Sequence, residues 1–210
     1  MPDPAPHNPD GLSRREFVAS TVAAGAALAA GELTHAEPTS APAGSGDAVA
    51  RAEPIELSLN VNGATRTARV DPRATLLDAL RDGLGLTGAK KGCDHGQCGS
   101  CTVLMDGRRV NACLVFARAA VGAAIATVEG LAHGDVLHPV QAAFLEHDAL
   151  QCGFCTPGQI CSAVGLVHEG HATSDADIRE QMSGNLCRCG AYANIVAAVH
   201  DVLPGNAQLG

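Results

Sequence analysis

The chain has 210 residues, 46% of them hydrophobic and 17% charged, which is enough for a packed core and argues against wholesale disorder. Its net charge of −8 and its aromatic content of four Phe, one Tyr and no Trp argue against a nucleic-acid partner. No apolar run reaches the roughly 18 residues that a membrane-spanning helix needs, and the nine cysteines, an odd number, are the main feature to explain.

The N-terminal segment has the pattern of a twin-arginine export signal. Arg14 and Arg15 precede a weakly apolar run from Phe17 to Ala30, and small residues then offer a cleavage site. We predict a signal peptide over residues 1–36, with cleavage as late as residue 43, and a periplasmic location. Residues 37–53, rich in Ala, Pro, Ser and Gly, are a predicted flexible linker. An amphipathic N-terminal helix with a chance arginine pair is the alternative.

Residues 54–129 are predicted to form a small α+β domain. Apolar and polar residues alternate from Ile55 to Val61, Asn62-Gly63 is typical of a hairpin turn, and a second strand follows over 64–70. A helix with leucines at helical spacing should end at Gly83. Further strands are predicted over residues 102–105, 108–110 and 123–128.

Residues 130–210 are predicted to form an all-α domain of four helices. Pro139 and Pro157 are typical of first-turn positions, and Ser174 with Asp177 has the spacing of a capping box. The predicted helices cover residues 139–146, 157–167, 175–182 and 191–203.

Four cysteines of the first domain have the plant-type spacing for a 2Fe–2S cluster, C-x4-C-x2-C with a fourth cysteine beyond the second hairpin. The loop is rich in glycine, which permits unusual backbone dihedrals and close approach to a cluster. Backbone N–H groups there could donate to the cluster sulfurs and raise the reduction potential. The predicted ligands are Cys93, Cys98, Cys101 and Cys113.

Four cysteines of the second domain form a C-x2-C and a C-x-C pair, each directly before a predicted helix. Helix N-termini carry unpaired N–H groups and positive potential, which favour an anionic thiolate cluster. The predicted ligands of a second 2Fe–2S cluster are Cys152, Cys155, Cys187 and Cys189. From spacing alone, this set could equally hold zinc.

Three different uses of the cysteines remain open at this point. Disulfides suit an exported protein, but nine is odd and cysteines two or three residues apart bridge poorly. Structural zinc and C-x-x-C redox chemistry would also account for closely spaced cysteine pairs.

Three segments resemble the iron–sulfur subunits of the xanthine dehydrogenase/aldehyde oxidase family of molybdenum hydroxylases, and the similarity extends from about residue 55 to about residue 203. The segments are Gly92-Cys93-Asp94-His95-Gly96-Gln97-Cys98-Gly99-Ser100-Cys101-Thr102-Val103, Gln151-Cys152-Gly153-Phe154-Cys155-Thr156-Pro157-Gly158 and Gly184-Asn185-Leu186-Cys187-Arg188-Cys189-Gly190. Together with the export pattern, they point to the aldehyde-oxidising branch of the family.

The resemblance implies a β-grasp ferredoxin-like domain followed by a four-helix domain, each with one 2Fe–2S cluster. It implies a large molybdopterin subunit, with Gln151 and Cys189 contacting the pterin, and a medium FAD subunit in a heterotrimer. The chain itself would have no catalytic residue and would relay electrons from molybdenum to FAD or another acceptor. A stand-alone two-cluster carrier, or a subunit of an N-heterocycle or purine hydroxylase, is the alternative.

The remaining candidate residues have simpler interpretations. His95 is expected at the surface of the first cysteine loop, and Cys161 as a small buried residue of a helix. Lys90 and Lys91 are expected to be a solvated pair, and Arg188 either offsets a cluster's charge or is exposed. Four histidines lack metal-site spacing and are assigned no role: His138, His147, His168 and His171.

Overall fold

The computed structural model describes residues 52–204, which all lie within one compact unit. The predicted signal peptide, and the predicted linker up to residue 51, lie outside the described residues. Within the described part, none of the helices combines the length and the apolar character that a membrane crossing requires.

A five-stranded mixed sheet forms the first half of the described chain. The strands are β1 Ile55–Val61, β2 Ala64–Val70, β3 Thr102–Met105, β4 Arg108–Asn111 and β5 Ala124–Ala126. Their order in the sheet is β2-β1-β5-β3-β4, and β1 runs parallel to β5 while the other pairs are antiparallel. Both predicted hairpins are therefore confirmed.

The last strand is shorter than predicted. We expected it to continue to Val128, but it ends at Ala126 and a 3₁₀ turn covers Val128–Gly130. The backbone N–H of Thr127 donates to Oδ1 of Asn62 at 2.8 Å, and Nδ2 of Asn62 donates to the Thr127 hydroxyl at 3.0 Å. Because a side chain of the β1–β2 turn takes this N–H, residue 127 has no strand partner.

One helix packs on the sheet. It begins as α1, Leu76–Asp78, and continues as a π-helical turn over Ala79–Gly83, so its end at Gly83 is confirmed. Thr75 and Asp78 form a capping box at its start. Its three leucines, Leu76, Leu77 and Leu80, are completely buried in the core of the sheet domain.

Four helices form the second half, as predicted. They are α2 Pro139–Glu146, α3 Thr156–Glu169, α4 Asp175–Gln181 and α5 Tyr192–Asp201. Helix α3 is the central one, since nine consecutive residues from Gly158 to Leu166 are buried. The α+β class, with a ferredoxin-like sheet followed by a helical half, is thus confirmed.

The two halves share their packing. On β3, Val103 lies in the core of the sheet domain while the next residue, Leu104, lies in the core of the helices. On β4, Arg109 forms an ion pair with Glu169 at the end of α3, with the Nη2–Oε2 distance at 2.5 Å. Arg109 also donates to the backbone carbonyl of Gln181 at 2.8 Å. Both contacts hold the helices against the sheet.

Candidate metal centres

The first four cysteines come from a loop and from the turn that follows the second hairpin. Cys93 and Cys98 lie half-exposed in the loop, Cys101 is buried directly before β3, and Cys113 is buried in the 3₁₀ turn Ala112–Leu114. The backbone N–H of Ala112 donates to the carbonyl of Cys101 at 3.3 Å. This contact places Cys113 beside the loop.

The thiols of this first group interact in two pairs, Cys93 with Cys98 and Cys101 with Cys113. The backbone N–H groups of His95 and Gln97 point at the sulfur of Cys93 and lower the pKa of its thiol to about 6. Burial, together with the neighbouring Cys113, raises the pKa of Cys101 to about 12. Cys93 therefore forms a thiolate more readily than Cys101.

Glycines let the loop close around these sulfurs. Gly96 and Gly99 have φ of +77° and +67°, in the left-handed region that favours glycine. Gly92 does not, but a Cβ on it would lie 2.9 Å from the sulfur of Cys98. Of the three glycines between residues 92 and 101, Gly96 and Gly99 therefore have the predicted unusual dihedrals. Gly92 is explained by the predicted close approach of the backbone to a sulfur.

The second four cysteines lie at the N-termini of α3 and α5, as the sequence predicted. Cys155 is the N-cap residue of α3, and Cys187 and Cys189 precede α5. Their thiols also interact in two pairs, Cys152 with Cys189 and Cys155 with Cys187. The first of these pairs is exposed, whereas Cys187 is buried and Cys155 half-buried.

Backbone N–H groups favour thiolates in this group too. Burial opposes ionisation of Cys187, but the N–H groups of Ala191, Cys189 and Gly190 point at its sulfur and lower the pKa of its thiol. For Cys152, the N–H of Phe154 has the same effect. For Cys155, burial dominates and raises the pKa to about 12. The start of α5 thus presents donors to a sulfur, as expected for an anion site.

This arrangement fits a cluster with two irons. In the described part of the chain, no three or more Cys, His, Asp or Glu side chains are grouped for a single metal ion. The cysteines form two sets of four instead, and each set is divided into two pairs. A 2Fe–2S cluster takes four thiolates, two on each iron, and all nine cysteines are free thiols.

One cavity of about 640 Å³ reaches both cysteine groups. Cys93 and Cys98 line one side, and Cys152, Cys155 and Cys187 line the other. Three exposed apolar or aromatic side chains complete its rim: Phe154, Leu186 and Tyr192. The two groups are therefore close neighbours across the boundary between the sheet and the helices.

The other singled-out residues lie mostly where expected. His95 and Arg188 are exposed, and Cys161 is buried in α3, where burial raises the pKa of its thiol to about 12. Gln151 is exposed beside Cys152.

Two expectations need correction. Lys91 is not simply solvated, because it pairs with Asp78 at 2.5 Å and Asp94 at 3.6 Å and so ties the cysteine loop to α1. His138 has a structural role, since it is the N-cap of α2 and its Nδ1 accepts from the N–H of Val140.

Sequence reasoning missed the residues that join the two cysteine groups. The side chain of Asn185 is buried between them, and the buried Gln159 side chain donates to the carbonyl of Asn185 at 2.9 Å. The backbone N–H of Leu186 donates to the carbonyl of Cys98 at 2.9 Å. In the sequence, Asn185 and Leu186 stood out only as part of the third segment that resembles the family, directly before Cys187.

Comparison with known proteins agrees with this geometry. Residues 59–126 match the family model for a 2Fe–2S iron–sulfur cluster binding domain, and residues 127–200 match that for a 2Fe–2S binding domain. The chain is 50% identical to the aldehyde oxidoreductase iron-sulfur-binding subunit PaoA of Escherichia coli O157:H7, over 93% of this chain and 90% of that protein.

Two further relatives act on other substrates by name. The nicotine 6-hydroxylase small subunit of Paenarthrobacter nicotinovorans is 50% identical over 72% of this chain and 90% of its own length. The crystal structure of quinoline 2-oxidoreductase from Pseudomonas putida 86 contains a chain of 47% identity that superposes with a TM-score of 0.69, covering 72% of this chain and 93% of its own. The chain therefore belongs to the family of 2Fe–2S iron–sulfur small subunits of molybdenum hydroxylases, which are parts of oxidoreductase complexes.

Proposed function

We propose that the chain is the electron-transfer subunit of an exported aldehyde oxidoreductase, which converts an aldehyde to a carboxylic acid. In this complex a large subunit holds molybdopterin and a medium subunit holds FAD, and electrons leave the molybdenum through two 2Fe–2S clusters. The observation that carries the aldehyde assignment is the extent of similarity. The match to the aldehyde oxidoreductase subunit covers 93% of this chain and therefore extends beyond residues 52–204. The match to the nicotine hydroxylase subunit covers only 72%.

The two groups of thiols are the proposed cluster ligands. Cys93 and Cys98 would hold one iron of the first cluster, and Cys101 and Cys113 the other, following the pairs that the thiols form. In the second cluster, Cys152 and Cys189 would hold one iron and Cys155 and Cys187 the other. When bound, each cluster supplies a one-electron acceptor and donor, so a two-electron oxidation can feed a one-electron chain.

The protein around the sulfurs has two roles in this function. The N–H groups that point at Cys93 and Cys187 stabilise negative charge on the sulfurs, which raises the reduction potential of a cluster there. The backbone hydrogen bond from Leu186, which directly precedes Cys187, to the carbonyl of Cys98 links the ligand segments of the two proposed clusters.

The exposed cysteine pair favours one face for the molybdopterin subunit. Cys152 and Cys189 are open to the surface beside the exposed Gln151, so a pterin can contact Gln151 and Cys189 there. Phe154 and Leu186 are about half exposed next to them, at 47% and 49%. Large apolar side chains are enriched at protein–protein interfaces, so this face suits a permanent subunit contact.

A second substrate class has its own support. Over its own matched region, 72% of this chain, the nicotine 6-hydroxylase small subunit is 50% identical, the same value that the aldehyde oxidoreductase subunit has over 93%. An N-heterocycle hydroxylase would use the same two clusters and differ in the molybdenum subunit.

Purification of the chain with its neighbouring subunits tests the proposal. We expect a stable complex with molybdopterin and FAD, about four irons on this chain, and faster turnover of aromatic aldehydes than of nicotine or quinoline. Faster turnover of the heterocycles would overturn the aldehyde assignment. A lone red-brown monomer with both clusters would identify a stand-alone carrier instead.

Export is tested separately by replacing Arg14 and Arg15 with Lys. The periplasmic fraction should lose the protein, while the cytoplasmic protein keeps its iron. An unchanged periplasmic yield would contradict twin-arginine export.

A further inference from the structure

The side chain of Asn185 lies where three of the four segments that carry the proposed ligand cysteines meet: the loop of Cys93, Cys98 and Cys101, the start of α3, and the segment before Cys187. We propose that Asn185 is a positioning residue that fixes the two clusters relative to each other and so sets the electronic coupling between them. The inference rests on the cluster ligands of the proposed function. Asn185 itself is not among those ligands.

One amide nitrogen bonds to the other two of these segments. Nδ2 of Asn185 donates to the carbonyl of Gly99 at 3.0 Å and to the hydroxyl of Thr102 at 3.2 Å, which flank Cys101. It also lies 3.3 Å from the carbonyl of Gly158, in the first turn of α3 after Cys155. The backbone of Asn185 belongs to the third segment, two residues before Cys187. A single side chain thus links the first cysteine loop with both halves of the second group.

The surroundings of this amide are buried and tightly packed. A Cβ on Gly99 would lie 2.6 Å from both Nδ2 of Asn185 and the carbonyl of Gly184, so the segments approach backbone to backbone. Asn185 is only 8% exposed, and its backbone carbonyl accepts from the side chain of Gln159, which is 1% exposed. Within residues 52–204 no buried side-chain nitrogen or oxygen lacks a partner. The carbonyl of Gly99 also accepts from the backbone N–H and the hydroxyl of Thr102, at 3.0 and 2.7 Å, but both of these bonds lie within the first cysteine loop. Removing the amide would therefore delete the hydrogen bonds that the Asn185 side chain makes between the segments.

The expected consequence is a local change in spacing. Without the amide, buried polar groups on both sides of the junction lose a partner and the segments lose a direct link, so the loops would separate to admit water. The nearby bond from Leu186 to Cys98 would weaken, because Leu186 follows Asn185 directly. Both electron transfer and the magnetic interaction between two clusters fall steeply with distance, so a small separation is measurable.

The test compares N185A with S174A in the full chain loaded with both clusters. Ser174 caps α4 through a bond to the N–H of Asp177 and lies in another segment from the cysteines, so S174A lowers stability without touching the junction. Two quantities are measured: the dipolar interaction between the reduced clusters by EPR, and the hydrogen exchange rate of the Leu186 amide.

For N185A we expect a weaker dipolar interaction and about tenfold faster exchange at Leu186, with about four irons retained. S174A should lower Tm. It should leave the dipolar interaction unchanged and should not speed exchange at the Leu186 amide more than at other amides of the protein. If N185A shows the wild-type interaction and exchange, the positioning role is wrong.

A milder variant, T102V, covers the case in which N185A does not retain its clusters. It removes one acceptor of the Asn185 amide together with the hydroxyl's own 2.7 Å bond to Gly99. The same two changes are expected at smaller size, and their absence would contradict the proposal. A wild-type chain without about four irons would instead contradict the proposed cluster ligands, so the two failures are distinguishable.

Discussion

The backbone N–H of Leu186 donates to the carbonyl of Cys98 at 2.9 Å, while the side chain of Leu186 is 49% exposed. The same residue thus joins the two cysteine groups through its backbone and faces outward with an apolar side chain. The backbone hydrogen bond does not depend on the identity of the side chain. A substitution of Leu186 can therefore remove the apolar side chain and keep that bond.

We predict that L186A keeps both clusters but weakens the complex with the molybdenum subunit. Losing an apolar contact at an interface centre costs about 1–2 kcal/mol, or about tenfold in Kd. Titration of the purified partners, with iron content as the control for folding, measures this change. V136A is the matched control, because Val136 is 71% exposed and outside the cavity that joins the cysteine groups. Equal weakening by both variants would exclude this face as the specific contact.

We predict that C155A removes one cluster and C161A removes none. Cys155 is paired with Cys187 at the start of α3, whereas Cys161 is buried about 1.7 turns further along the same helix. Iron should fall from about four to about two per chain in C155A, and one of two EPR signals should vanish. C161A should keep all the iron and lose about 1 kcal/mol of stability through a small cavity. Iron loss in C161A would contradict the assignment of ligands.

Local sequence patterns predicted the elements that position the site, because each pattern depends only on residues that are close together in the chain. Cys155 and Cys187 precede helices in the sequence, and the turn at Asn62-Gly63 marks a hairpin by residue type alone. These features need no knowledge of distant parts of the chain.

The junction between the two cysteine groups could not be predicted in the same way. Asn185 meets Gly99 across 86 positions of sequence and Arg109 meets Glu169 across 60. An asparagine in a loop has many local uses, so its residue type does not indicate a distant partner. The shortened β5 has the same origin, since Thr127 is bonded to a side chain 65 positions away.

We predict that the stability of α2 depends on pH through His138. Burial, with His168 and His133 nearby, lowers the pKa of His138 below its usual 6.5, and its neutral Nδ1 accepts the N–H of Val140. A lowered folded pKa means that the cap is intact above about pH 6.5 and is lost as pH falls through the folded value. Asn is also a good N-cap residue and does not titrate.

The comparison of wild type with H138N isolates this term from the other histidines. Between pH 7.5 and pH 5.5 the wild type should lose up to about 1 kcal/mol more stability than H138N, measured as Tm at each pH. Parallel pH profiles for the two proteins would show that His138 does not carry the dependence.

We predict that G99A prevents assembly of the clusters while G107A does not. Both glycines have a left-handed backbone, with φ of +67° and +76°, so each alanine has the same conformational cost of about 1–2 kcal/mol. At Gly107, in the β3–β4 turn, a Cβ meets nothing within 4 Å, whereas at Gly99 it meets the Gly184 carbonyl at 2.6 Å. Backbone atoms of a packed junction cannot move aside as a flexible side chain can.

G107A should therefore lower Tm and keep about four irons. G99A should lose iron from both cysteine groups, because Gly99 lies where they join. Full iron content in G99A would contradict this prediction, because it would show that the clusters assemble even when Gly99 and Gly184 are pushed apart.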